Sequence, residues 1–154
     1  MNVTPVKIRP LSAWLLIIFV LILGLGATIS GAMLFIKPNG DLMGMSTSLL
    51  KGSPFHNYVI PGIILFLFVG VFPFIVAMGL IITGWKGLHF LNPFPAHHWA
   101  WTGSITAGVI LIIWIITETA LLGNISVLQP VMAAWGIIII LLTAVPDLRK
   151  YYHT

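Results

Sequence analysis

Glu118 is the residue with the clearest capacity for chemistry, because it is the sole ionisable residue inside the long apolar runs of this 154-residue chain. A charge near the centre of a bilayer costs at least about 2.5 kcal/mol, so an acid kept there often binds a proton or a cation. Thr117 and Thr119 flank it with hydroxyl groups. Helical spacing places Glu118 on the same face as Ala107 and Gly103, the small-residue face of its helix, so it is expected to point into the bundle. Glu118 precedes the expected end of its helix by about 6 Å at 1.5 Å per residue, which predicts a shallow position.

Lys37 and His56 are the groups expected at the same height as Glu118, because they lie at the matching ends of the first and second apolar runs. One interpretation makes Glu118 a proton or cation site that opens outward, with His56 as a second titrating group. The other makes Glu118 a structural hydrogen-bond or ion-pair partner that ties its helix to a neighbour. The sequence leaves both interpretations open.

Three histidines, His89, His97 and His98, lie in one connection between helices and are weak candidates for metal ligands. Neutral imidazole is a common ligand, but this spacing matches no recognised pattern, and no carboxylate accompanies it. The alternative is interfacial packing at the helix ends. The chain has no cysteine, which excludes thiolate metal sites and disulfide chemistry. We expect neither a metal nor a cofactor.

The elements that position these residues follow from the composition, which is 59% hydrophobic and 6% charged. Soluble domains carry roughly 25% charged residues, so the surrounding medium here is lipid, where backbone groups must be satisfied internally. The sequence predicts an all-α membrane protein: a single domain, 1–154, built as an antiparallel bundle of four transmembrane helices. Hydropathy and the flanking prolines place these helices at roughly 11–36, 58–83, 99–122 and 126–145.

The distribution of Lys and Arg predicts the orientation of the bundle, since cytoplasmic ends carry more positive charge. Five of these residues fall at the end that holds both termini and the second connection, and two at the other end. Both termini are therefore expected in the cytoplasm. Aromatic residues near helix ends are typical of interfacial belts, and this interpretation covers Trp14, Trp85, Trp99, Trp101, Phe55 and Tyr58.

Small residues predict the packing faces, because helices in lipid associate through close backbone approach. On the first helix, Gly24, Thr28 and Gly31 share a strip, and Gly26 with Ser30 forms a second strip that would face another neighbour. On the second helix, Pro73 removes a backbone hydrogen bond and is expected to bend the chain. Its small-residue face is formed by Gly62, Phe66, Gly70, Pro73 and Ala77.

Residues 49–66, with the sequence LLKGSPFHNYVIPGIILF, follow a glycine-rich first helix. Together these features resemble a group of small, uncharacterised bacterial four-helix membrane proteins, over about the first half of the chain. The resemblance implies a bacterial cytoplasmic membrane and carries no activity or site residues. Small multidrug exporters also combine four helices with one membrane glutamate, but theirs lies in the first helix, so their function is not transferred.

Two classes of function are compatible with these features. The first is a non-catalytic membrane protein that binds a partner, either a second copy or another membrane protein, or that has a structural role. The alternative is a small oligomeric transporter or channel that uses Glu118 as a proton or cation site. No catalytic residues are assigned, and an enzyme is not expected. The net charge of +4 fits contact with the lipid bilayer rather than with nucleic acid.

Overall fold

A computed structural model describes residues 7–123 and 126–154, and these ranges are helical apart from turns, loops and one isolated antiparallel bridge between His97 and His153. Short 3₁₀ turns occupy parts of the connections, at Asp41–Met43, Thr47–Leu50 and His89–Leu91. The predicted all-α class is therefore confirmed. The main helices are α1 (Leu11–Ile36), α2 (Val59–Ile81), α3 (Trp99–Leu122), α4 (Leu128–Thr143) and α5 (Pro146–Tyr151).

Three of these helices, α1, α2 and α3, are long and apolar enough to cross a bilayer. The fourth, α4, has 16 residues. At 1.5 Å per residue it spans about 24 Å, less than the roughly 30 Å of a hydrocarbon core. It ends earlier than the expected 126–145 because Val145 adopts extended backbone and Pro146 starts a separate helix. Residues 124 and 125, in the connection between α3 and α4, lie outside the described residues.

The α1 and α2 backbones touch directly through glycines. A Cβ atom added at Gly31 would lie 2.6 Å from the Phe66 nitrogen, and one added at Gly70 would lie 2.6 Å from the Thr28 hydroxyl oxygen. Later positions on α1 therefore meet earlier positions on α2, so the two helices pass in opposite directions. This contact confirms the predicted small-residue strips along Gly24, Thr28 and Gly31 and along the facing side of α2.

The second predicted strip on α1 does not pack as expected. Gly26 is exposed, and an added Cβ atom there would meet nothing within 4 Å. Helix α1 contacts α4 elsewhere, where the Phe19 and Trp135 rings lie 4.4 Å apart and the Trp135 indole donates a hydrogen bond to the Phe19 carbonyl at 3.1 Å. Aromatic bulk, rather than small residues, therefore makes the second helix contact.

Helix α2 contains a wide turn at Leu65–Val71 with π-helical winding, and the N–H of Phe72 donates to the carbonyl of Leu67, five residues earlier. Pro73 follows directly. A proline ring clashes with the carbonyl four residues before it and offers no N–H, and wider winding relieves both problems. The disturbance expected at Pro73 therefore takes the form of a π-helical segment.

The α3–α4 contact is also close, since a Cβ atom at Gly108 would lie 2.9 Å from the Gly136 carbonyl oxygen. Trp101 reinforces it by donating to the Thr143 carbonyl at 3.0 Å. Trp99 and Trp101 are only 3% and 7% exposed, so the belt interpretation is wrong for these two. Both indole N–H groups donate to carbonyls inside the fold. The N–H of Trp99 donates to the Trp85 carbonyl at 2.7 Å.

The amino-terminal segment, the second connection and the carboxyl-terminal segment meet at one end of the molecule. Arg9 donates to the Ile81 carbonyl at 2.8 Å, and the Tyr152 hydroxyl donates to the Leu80 carbonyl at 2.9 Å. The His98 N–H donates to the Tyr152 carbonyl at 2.8 Å. We call this region, residues 7–10, 82–98 and 144–154, the terminal end. The opposite region, residues 37–58 and 118–129 as far as they are described, is the loop end.

Candidate functional site

Glu118 lies at the loop end of α3, partly buried, one turn before the helix ends at Leu122. Trp114, one turn earlier on α3, and Gln129, in the first turn of α4, lie within hydrogen-bonding reach of its carboxylate. Gln129 is 3% exposed and also donates to the Gly123 carbonyl at 3.1 Å. The inward orientation that the sequence predicts for Glu118 is thus produced by the close approach of α3 and α4.

A shallow groove of about 590 Å³ lies between α3 and α4, and Gln129, which reaches the Glu118 carboxylate, is one of the residues that line it. Its polar edge is formed by Thr119, Ser126 and Gln129. The remaining lining is apolar and consists of Ile115, Val127, Pro130 and Ala133. An indole N–H and an amide N–H fit a carboxylate that accepts hydrogen bonds. A hard metal cation, in contrast, requires roughly six or more oxygen ligands around it.

Lys37 and His56 do not join Glu118. Both side chains are exposed, and no ion pair connects either of them to Glu118 within the described parts of the chain. The first connection folds back on itself, since Tyr58 bonds the carbonyls of Pro38 and Ser46, and His56 lies exposed in it. The loop end therefore brings together Glu118, Trp114 and Gln129, and leaves Lys37 and His56 in its exposed surface.

Tyr58 is a loop-end residue whose position the sequence does not predict. It is 1% exposed rather than part of an interfacial belt, and its hydroxyl donates to the Ser46 carbonyl at 2.8 Å. Its ring packs with Leu34 and Leu50. Burial, followed by the negative charge of Glu118, raises the pKa of Tyr58 above its ordinary value. The amphipathic chemistry of tyrosine suits either location, so the sequence cannot separate them.

His98 is a structural residue of the terminal end. It precedes α3, and its Nδ1 accepts the Ala100 N–H at 3.3 Å while its Nε2 lies 3.2 Å from the Trp85 carbonyl. This pair of contacts requires a neutral ring with the proton on Nε2. Burial lowers the pKa of His98, which favours the same neutral form. Both ring nitrogens are therefore used within the fold.

The other two candidate histidines, His97 and His89, lie in different surroundings. The His97 ring stacks on Trp101 with 4.4 Å between ring centroids, and burial followed by the nearby charges of His153 and Arg149 lowers its pKa. His89 is exposed in a 3₁₀ turn. In residues 7–123 and 126–154, no three His, Asp or Glu side chains are grouped so that they could hold a metal ion.

The interior between the two ends is apolar. From Ser104 to Glu118, a distance of about 21 Å at 1.5 Å per residue, the buried residues of α3 are Ala107, Gly108, Leu111 and Ile115. The hydroxyl of Ser104 is satisfied by the Ala100 carbonyl at 2.8 Å. Along α3, the polar groups of the two ends are thus separated by an apolar layer of buried residues.

Comparison of the chain with family models, with curated proteins and with solved structures gives no match.

Proposed function

We propose that this chain is a multi-pass integral membrane protein, an antiparallel bundle of four transmembrane helices with both termini at the cytoplasmic face of a bacterial membrane. Three apolar helices of spanning length support the membrane location. The helix contacts run in alternating directions, which supports the antiparallel arrangement. The excess of Lys and Arg at the terminal end supports the orientation.

Within that location, we propose a non-catalytic role in which the protein binds another membrane component, either a second copy or a different protein. The observation that carries this proposal is the low coverage of the most apolar stretch of α3. In that stretch 22% of the residues are buried, against 39% in the corresponding stretches of α1 and of α2. An exposed side of α3 displays Val109, Ile113 and Ile116, at 43%, 57% and 63% exposure.

The polar groups on that side of α3 are already satisfied. Thr106 donates to the Thr102 carbonyl at 3.1 Å, and Thr117 donates to the Ile113 carbonyl at 2.8 Å. The side is therefore suited to apolar packing against another helix rather than to binding a polar solute. We expect a partner helix to lie along it.

Site-specific crosslinking tests this role, and the absence of native cysteine makes single-cysteine variants clean. A photocrosslinker attached to Ile113→Cys should give one defined adduct in native membranes. The matched control is Ile22→Cys on α1, which is 52% exposed and should give none. A bulky Ile116→Trp change beside the label should remove the adduct. Equal labelling patterns at both positions would contradict the proposal.

The alternative, a transporter or channel that uses Glu118, draws its support from the Glu118, Trp114 and Gln129 group and the groove beside it. The apolar layer between the two ends opposes it, because a single bundle then offers no continuous polar route. Proton or cation flux in liposomes that is lost with Glu118→Gln, while the variant remains folded, would select this alternative. Equal background flux in both proteins would exclude it.

A further inference from the structure

Two cations of the terminal end converge on one aromatic ring. The Lys7 ammonium nitrogen lies 5.5 Å from the Tyr151 ring centroid, and the Arg9 guanidinium carbon lies 5.9 Å from it. The same guanidinium stacks on Trp14 at 4.9 Å. Its Nη2 donates to the Ile81 carbonyl at 2.8 Å, and its Nε lies 3.4 Å from the Tyr151 hydroxyl. Stacking and hydrogen bonds therefore hold these charges in place.

These cations keep hydrogen-bonding capacity that the protein does not use. The guanidinium carries more N–H donors than its two bonds occupy, and the Lys7 ammonium has one bond, to the His153 carbonyl at 3.4 Å. Across the described residues, neither cation forms an ion pair with a carboxylate. Two such cations side by side are suited to hydrogen-bond a negatively charged acceptor.

The charge of the whole chain is concentrated around this pair. The terminal end holds five Lys and Arg residues and a single carboxylate, Asp147, whereas two cations and two carboxylates balance at the loop end. The formal net charge of +4 is thus assigned entirely to the terminal end. A field of this sign concentrates anions at the surface that carries it.

Exposed apolar side chains lie beside these cations in sequence and on the second connection at the same end of the molecule. Ile8 and Leu11 are 86% and 74% exposed, and Phe90 and Leu91 on the second connection are 79% and 67% exposed. Exposed aliphatic and aromatic groups beside fixed cations match the boundary between acyl chains and headgroups. A soluble anion would use the charges and leave these apolar groups in water, whereas a lipid uses both.

We infer that Lys7 and Arg9, held against Tyr151, bind the phosphate of an anionic phospholipid, whose acyl chains lie along the exposed apolar residues of the terminal end. This inference rests on the proposed membrane location and does not depend on the partner role. The guanidinium supplies a planar fork for two phosphate oxygens, and the ammonium supplies a second positive charge.

Native mass spectrometry of the full chain released from nanodiscs of equal phosphatidylglycerol and phosphatidylcholine tests the site. The wild-type protein should retain phosphatidylglycerol in preference to phosphatidylcholine. Each removed cation should weaken that preference about fivefold at low ionic strength, so Lys7→Gln with Arg9→Gln should weaken it about 25-fold. The matched control, Lys37→Gln with Lys51→Gln at the loop end, should retain the wild-type preference within about twofold.

The outcomes distinguish a failure of the proposed lipid site from a failure of the proposed membrane location. Equal loss in the terminal-end and loop-end double variants would overturn the site in favour of diffuse charge. Retention of neither lipid by the wild-type protein would instead count against the membrane location. Because Arg9 also binds the Ile81 carbonyl, its replacement could unfold the chain, and Lys7→Gln alone then decides. Lys7 is exposed and has one long hydrogen bond, so an unchanged preference in that folded variant would refute the inference.

Discussion

The two ends of this bundle are fastened in different ways. Side-chain bonds at the terminal end join residues far apart in sequence, since Tyr152 reaches Leu80 and Arg9 reaches Ile81, each across 72 positions. At the loop end, the Tyr58 hydroxyl reaches back 12 positions to Ser46, and the other side-chain bonds of residues 37–58 are shorter still. Long-range bonds hold helices to one another, whereas short-range bonds only shape a loop. We therefore expect the terminal end to contribute more to global stability.

Two buried tyrosines, one at each end, provide the strongest test of this difference. Tyr152→Ala should lower the free energy of unfolding in detergent micelles by about 4 kcal/mol, because it removes a buried ring and frees the Leu80 carbonyl. Tyr58→Ala removes a ring of equal size, but should mainly loosen residues 37–58 and cost the global fold less. Denaturant titration followed by circular dichroism measures both. A larger loss for Tyr58→Ala would reverse the comparison.

A smaller effect is expected at the start of α3. His98→Ala removes the cap on the Ala100 N–H and the contact with the Trp85 carbonyl, and should cost about 2 kcal/mol. His98→Asn keeps a capping acceptor and should recover about half of that loss. The same denaturant titration compares the three proteins. If the alanine and asparagine variants were equally stable, capping would not explain the contribution of His98.

The same residue should contribute to the pH dependence of stability, together with His97, whose pKa is also lowered. The pKa of His98 is lowered in the folded protein, so at pH values below the ordinary histidine value of about 6.5 the unfolded chain takes up a proton that the native state does not. Stability is then full above that pH and falls as the pH decreases, by at most about 1.4 kcal/mol per unit, until the native ring also becomes protonated. Thermal unfolding between pH 7.5 and 5.5 measures this trend, and His98→Asn should flatten it.

The smallest effect is expected at Glu118. Glu118→Gln keeps an oxygen acceptor for Trp114 and Gln129, so the free energy of unfolding should change by less than about 1 kcal/mol. The change is measured in the same micelles as the tyrosine variants. A loss of several kcal/mol would show that the loop end contains a structural charge on which the bundle depends.

The bounds of the helices could be predicted where hydropathy and neighbouring prolines indicate the same helix ends. The bounds of α1 and α3 agree with hydropathy and flanking prolines, and the glycines that join α1 to α2 follow from the need for close approach in lipid. The early end of α4 and the π-helical segment before Pro73 could not be predicted. Each depends on how a local backbone defect is relieved, and several solutions have similar energy.

The candidate site was predicted only in part. Glu118 stands out because a single acid in an apolar run is costly, and its inward direction follows from helical spacing. Its actual neighbours were not predicted, because Gln129 reaches it from α4 and the first connection carries His56 outward. The convergence of Lys7 and Arg9 on Tyr151 depends on a contact across more than 140 positions, for which the sequence contains no local signal.

The long reach of Tyr152 also bears on how the bundle assembles during synthesis. Arg9 and the Ile81 carbonyl are both available once α2 has been made, and the glycine contacts between α1 and α2 need nothing that follows them. The Leu80 carbonyl receives its hydrogen bond only after α5 has left the ribosome. The α1–α2 hairpin can therefore form early in the bilayer, whereas the bond from Tyr152 to Leu80 can close the terminal end only after α5 has been made.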